Sequence, residues 1–121
     1  MTIEIAVERL QAGCQAHDIE AVTHLFTEDA TVSGEGAPGL LQGHDQLRPV
    51  LGFMFEHTPK LSIEIYQKTQ ISPESVLTWL QWSSPSADGS FINFRSLTVW
   101  RKTADSWKIV SDFYGQGVFE D

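Results

Sequence analysis

The chain has 121 residues, 41% of them apolar and 11% aromatic, enough for one domain over 1–121 with its own core. Its formal charge is −8, from 8 Lys and Arg against 16 Asp and Glu. That argues against nucleic acid or an anionic membrane surface as partner, since both need clustered positive charge. The single Cys14 rules out an internal disulfide and a multi-thiolate metal site. No stretch approaches the roughly 20 apolar residues of a membrane helix, and MTIEIAVERL, with Glu4, Glu8 and Arg9, offers no uninterrupted apolar core for a signal peptide. Together these predict a cytoplasmic protein.

From Ile3 to about Ala16, the residues Ala6, Leu10, Cys14 and His17 recur at helical spacing, opposite Glu4, Glu8 and Gln11. Asp18 caps a second helix expected over approximately Ile19 to Phe26, followed by a short strand at Ala30 to Ser33. Ser33 to Gly43 has four Gly and one Pro among eleven residues, a loop suited to bend over a pocket mouth. His44 to His57 reads as a helix, with Leu47, Val50, Leu51, Met54 and Phe55 on one stripe and Pro49 in the first turn. Leu61, Ile63 and Ile65 alternate with polar residues as a half-buried strand, and turns at Ser72–Glu74 and Ser83–Ser90 flank another at Val76–Ser83. The C-terminal third, Phe91 to Tyr114, gives two long antiparallel strands joined by a turn at Thr103–Ser106. Three helices followed by four long strands predict an α+β fold, a curved antiparallel sheet with helices on one face.

One residue on the last strand stands out. Asp112 is a carboxylate between aromatic and aliphatic neighbours where the strand is expected to be buried. Either it moves protons from a desolvated site, or it pairs with Arg95, Arg101 or a backbone N–H and holds the sheet. His17 ends the apolar stripe of the first helix, where it either reaches the interior as a base or is satisfied at the helix end. Cys14 reads as packing rather than nucleophile. No His-x-His or His-Glu-x-x-His spacing appears, which predicts no metal site.

The phrase HDIEAVTHLFTEDATV and the ending DSWKIVSDFYG resemble the nuclear transport factor 2-like superfamily, and within it the SnoaL-like and ketosteroid isomerase-like proteins. The resemblance implies a cystatin-like cone: a curved antiparallel sheet with three N-terminal helices on its concave face, an internal pocket, and a homodimer through the outer sheet face. The ketosteroid isomerase catalytic positions fall on Leu10, Ser96 and Gly34, none able to act as those enzymes require. The third-strand positions of limonene-type epoxide hydrolases fall near Trp79 and Gln81 and do not match. The last-strand aspartate used by that group and by SnoaL-type cyclases falls on Asp112 and does match.

The same comparison turns Leu77, Trp79, Gln81, Phe94, Ser96, Thr98, Val110, Asp112 and Tyr114 into the pocket and leaves Val76, Leu80, Trp82, Leu97, Val99, Ile109 and Phe113 outside. The expected ligand contacts are Leu10, Cys14, Met54, Phe55, Trp79, Gln81, Phe94, Ser96 and Thr98, with Asp112, Tyr114 and His17 as candidates for catalysis. The expected ligand is a small hydrophobic molecule. The expected chemistry is cofactor-free isomerisation, cyclisation, dehydration or hydrolysis. The competing class is a non-catalytic interaction module whose cavity is plugged by side chains, and free volume of about 300 Å³ or more reaching Asp112 separates the two.

Overall fold

A computed structural model describes residues 2–120; the first and last residues of the domain expected over 1–121 lie outside it. Among the described residues, three helices (α1 Ile3–Gln15, α2 Ile19–Thr23, α3 His44–His57) accompany six strands. The strands are β1 Phe26–Gly34, β2 Leu41–Gln42, β3 Ser62–Ser72, β4 Ser75–Pro85, β5 Phe91–Thr103 and β6 Ser106–Gln116. They form one curved sheet in the order β2-β1-β6-β5-β4-β3, antiparallel throughout except that β1 runs parallel to β6. None of the helices is long and apolar enough to cross a membrane.

Local chemistry sets the helix ends. The Thr2 hydroxyl accepts the Ile5 N–H at 3.2 Å and the Asp18 carboxylate accepts the Ala21 N–H at 3.1 Å, each filling an orphan donor of a first turn. The second helix is shorter than expected. It stops at Thr23, and Phe26 already belongs to β1, where it lies opposite Ile109. The α1 stripe Ile3, Ala6, Val7, Leu10 and Cys14 is buried against the sheet, and so are Leu47, Leu51 and Phe55 of α3. Gln15 and Gln11 of α1 tie the start of β3: Gln15 Nε2 donates to the Leu61 carbonyl at 2.9 Å and Gln11 Oε1 accepts the Ile63 N–H at 2.7 Å.

Two faces of β4 compete for the core. The inward row is Val76, Thr78, Leu80 and Trp82, all 6% exposed or less, while Leu77, Trp79 and Gln81 stand on the outer face. The expectation had this strand reversed. Cross-strand pairs settle the phase: Val76 faces Trp100, Thr78 faces Thr98, Leu80 faces Ser96 and Trp82 faces Phe94. Ile109, expected outside, also points inward. A bulge leaves Val110 unpaired, because Trp100 pairs with Ile109 and Val99 with Ser111. Ile109 and Asp112 therefore share a face although they are three residues apart. Leu97, Val99 and Phe113 remain outside, as expected.

Candidate functional site

Helices and inner sheet face enclose a cavity of about 1110 Å³. Its floor comes from Leu10 and Cys14 of α1, Val22 of α2, and Phe26 and Val32 of β1; one wall is Leu47, Val50, Leu51 and Met54 of α3. The opposite wall is Trp82 and Phe94, stacked with ring centroids 5.1 Å apart, together with Asp112 and Tyr114. Glu35–Pro38, from the glycine-rich loop, and Phe53, Phe91 and Val118 form the mouth, the last three exposed at 67%, 67% and 44%.

Asp112 reaches this space from the middle of β6, opposite Thr98 on β5. Thr98 Oγ1 donates to Asp112 Oδ1, and neither Arg95 nor Arg101 pairs with it. Arg95 instead donates to the carbonyls of Gln116 and Val118 on the outer side. Burial pushes the Asp112 carboxyl up to about 6; the Thr98 hydroxyl, and then that of Ser96, favour the ionised form and hold it below what burial alone would give. Tyr114, half-buried beside it, is raised first by burial and then by the negative charge of Asp112, so its phenol stays protonated. Cys14 is pushed up to about 12 by burial and remains an inert thiol.

Of the residues expected at the site, the structure places Leu10, Cys14, Met54, Phe94, Asp112 and Tyr114 on the cavity. Trp79 and Gln81 are not there, since they lie on the opposite sheet face. The Gln81 amide donates to the Phe94 and Gly117 carbonyls and accepts the Phe119 N–H at 2.9 Å, holding the C-terminal segment across that face. Phe55 is buried under α3 but stacks on His17 at 5.3 Å rather than meeting the cavity. His17 is exposed, with its ring nitrogen 3.1 Å from the Thr58 carbonyl, the helix-end reading rather than the interior base. Ser96 and Thr98 sit behind the wall, hydrogen-bonded to it. Trp82 was missed, because β4 is apolar on both faces. The mouth residues Phe53 and Phe91 were missed too, because nothing in their spacing distinguishes a rim from a solvated turn.

A cup of helices and sheet with an interior acid places the chain in the nuclear transport factor 2-like, cystatin-like class of folds. Within that class it belongs to the SnoaL-like domain family, whose model matches residues 7–111. A ketosteroid isomerase-like protein from Erwinia carotovora atroseptica is 25% identical over 94% of this chain and 92% of its own, with a TM-score of 0.79. A nuclear transport factor 2-like protein of unknown function from Pseudomonas putida is 14% identical over 98% of this chain and 85% of that one, at a TM-score of 0.76. A domain with a cystatin-like fold from Nostoc punctiforme, of unknown function, is 14% identical over 97% and 76%, at 0.79. The last two likenesses carry the fold alone. Among curated proteins no match is found.

Proposed function

We propose that this domain binds an uncharged, largely apolar small molecule in its cavity and that Asp112 exchanges a proton with it, without a cofactor. The observation that carries this reading is the continuity of a cavity of about 1110 Å³ with the Asp112 carboxylate. That volume lies just above the range of ordinary ligand pockets and argues against the module with a plugged interior. Among the described residues, no Lys or Arg lines the cavity, and its two carboxylates are Asp112 and Glu35. Apart from His57 at the end of α3, no described side chain able to carry positive charge lines it to compensate a carboxylate or phosphate moved out of water, so the ligand class is neutral.

A carboxylate raised to about 6 is still ionised at pH 7 and is a stronger base than an ordinary aspartate. It suits proton removal next to a carbonyl, with the Tyr114 phenol as donor to the oxygen that gains charge. Isomerisation, aldol-type cyclisation, dehydration and hydrolysis all fit that pair. The name of the Erwinia relative points towards isomerisation, but the residues are not those of steroid isomerases. Leu10 is apolar, Ser96 is buried against Trp82, and Gly34 lies against Tyr114.

The neutral dye N-phenyl-1-naphthylamine tests the binding step. We expect saturable fluorescence enhancement in the micromolar range, with the anionic 8-anilinonaphthalene-1-sulfonate at least about tenfold weaker. Absence of saturable binding by the neutral dye contradicts the reading.

The outer sheet face supports the homodimer. Leu97 and Val99 are half-buried there and Phe113 is 61% exposed in the isolated chain, an apolar patch beside the segment held by Gln81 and Arg95. Sedimentation equilibrium is expected to give twice the chain mass for the wild type and a monomer for Phe113→Glu. A wild-type monomer at tens of micromolar removes this assembly.

A further inference from the structure

Behind the cavity wall, a row of hydrogen bonds crosses three adjacent strands. Trp82 Nε1 on β4 lies 2.8 Å from Ser96 Oγ on β5, Ser96 Oγ lies 2.9 Å from Thr98 Oγ1, and Thr98 Oγ1 meets Asp112 Oδ1 on β6. Ser96 is 2% exposed and Thr98 is fully buried, so no solvent completes these bonds. Proton counting fixes the direction. An indole N–H only donates, and each hydroxyl has one proton. Thr98 gives its proton to the ionised Asp112, so it must accept from Ser96, and Ser96 in turn accepts from Trp82. The row runs one way, from indole to carboxylate.

A second buried row anchors the same threonine. Trp100 Nε1 donates to Thr78 Oγ1 at 2.9 Å, and Thr78 Oγ1 donates to the Thr98 carbonyl at 3.1 Å. Backbone and side chain of Thr98 are thus both held. Of the two hydroxyls that favour the ionised Asp112, Thr98 acts more strongly than Ser96, and its Oγ1 donates to Oδ1 of a carboxylate that lines the cavity.

We infer that Thr98 is the positioning residue of this site: it fixes Asp112 Oδ1 through a one-way donor row that starts at Trp82, so that Oδ2 is the oxygen that exchanges the proton. The inference rests on the acid–base reading of Asp112. In the step, Oδ2 takes a proton from the ligand while the bonding pair stays on the ligand, and Oδ2 returns that proton in the second half of the reaction. Oδ1 cannot share this duty without turning the Thr98 hydroxyl against the proton that Ser96 presents. The other titratable groups lining the cavity are Cys14 from α1, Glu35 from the loop after β1, His57 from the end of α3 and Tyr114 from β6 itself.

Carboxyl-carbon NMR titration of Asp112 tests this without any ligand. Thr98→Val keeps shape and removes the donor, and is expected to raise the Asp112 midpoint by about one pH unit or more, the size of a hydrogen bond to a charged acceptor. Thr98→Ser keeps the hydroxyl and is expected to hold the wild-type midpoint. An unchanged midpoint in Thr98→Val, or an equal shift in Thr98→Ser, overturns the assignment. Should Thr98→Val not fold, Ser96→Ala is expected to move the midpoint upward by a smaller amount, and no movement overturns it equally. Failure of the wild type to bind N-phenyl-1-naphthylamine, which would sink the ligand reading, is a separate measurement from these midpoints.

Discussion

Asp112→Asn is expected to lower turnover of any substrate by roughly 10²–10⁴, the usual contribution of a general acid–base group, and to make the protein more stable at pH 7.5. The second effect follows from linkage. The native carboxyl titrates near 6 rather than at its ordinary 3.8, so between those values the folded state binds more protons than the unfolded state. Stability therefore falls as pH rises from about 4 to about 6 and stays lowered above that. The gap corresponds to at most roughly 3 kcal/mol. Asparagine keeps the acceptor for Thr98 and has no charge to desolvate. Urea or thermal midpoints at pH 4 and 7.5 are expected to show wild type and variant alike at the lower pH and the variant higher by several degrees at the upper one. Equal pH dependence in the two proteins would mean that Asp112 is not desolvated as described.

Gly34→Ala is expected to be the most damaging single-methyl change. A Cβ at that position would lie 2.4 Å from the Tyr114 carbonyl oxygen and 2.7 Å from its ring. The carbonyl belongs to the β1–β6 pairing, where Gly34 faces Tyr114, so no side-chain rotation relieves the clash. Either β1 parts from β6 or Tyr114 swings away from the cavity. Overpacking of this kind costs about 3 kcal/mol, roughly 10 °C in thermal midpoint for a domain of this size. Gly39→Ala is the control: nothing lies within 4 Å of a Cβ there, and its midpoint is expected to stay within about 2 °C of wild type. A Gly34→Ala protein as stable as Gly39→Ala would show that β1 and β6 are not packed this closely. The same contact explains why an acid cannot simply be placed at Gly34 to rebuild a steroid-isomerase site.

Much of this molecule is legible in its sequence because single faces of its helices are apolar. Leu10 and Cys14 on α1 and the Leu47–Met54 stripe on α3 mark the surfaces that meet the sheet, and Pro49 falls in a first turn that tolerates it. Asp112 is legible for a different reason, as the one carboxylate of β6, set among Ile109, Val110, Phe113 and Tyr114. The reading fails where chemistry is symmetric about the backbone. Strand β4 carries Val76, Leu80 and Trp82 on one side and Leu77 and Trp79 on the other, so period-two alternation cannot say which row is inside. The bulge at Val110 is equally silent, since one unpaired valine leaves no compositional trace. The parallel pairing of β1 with β6 joins residues about 80 positions apart, beyond the reach of local pattern. Those three features decide that Trp82 rather than Trp79 walls the cavity, that Ile109 turns inward, and that Gln81 holds the C-terminal segment instead of a ligand.

The most direct measurement is a crystal structure of the domain with a neutral apolar carbonyl compound bound. The ligand is expected inside the cup against Trp82 and Phe94, its oxygen within hydrogen-bond reach of Tyr114 or Asp112, with Asp112 Oδ1 still held by Thr98. A cavity closed by side chains, or an Asp112 carboxylate turned to the outer sheet face, would contradict the account.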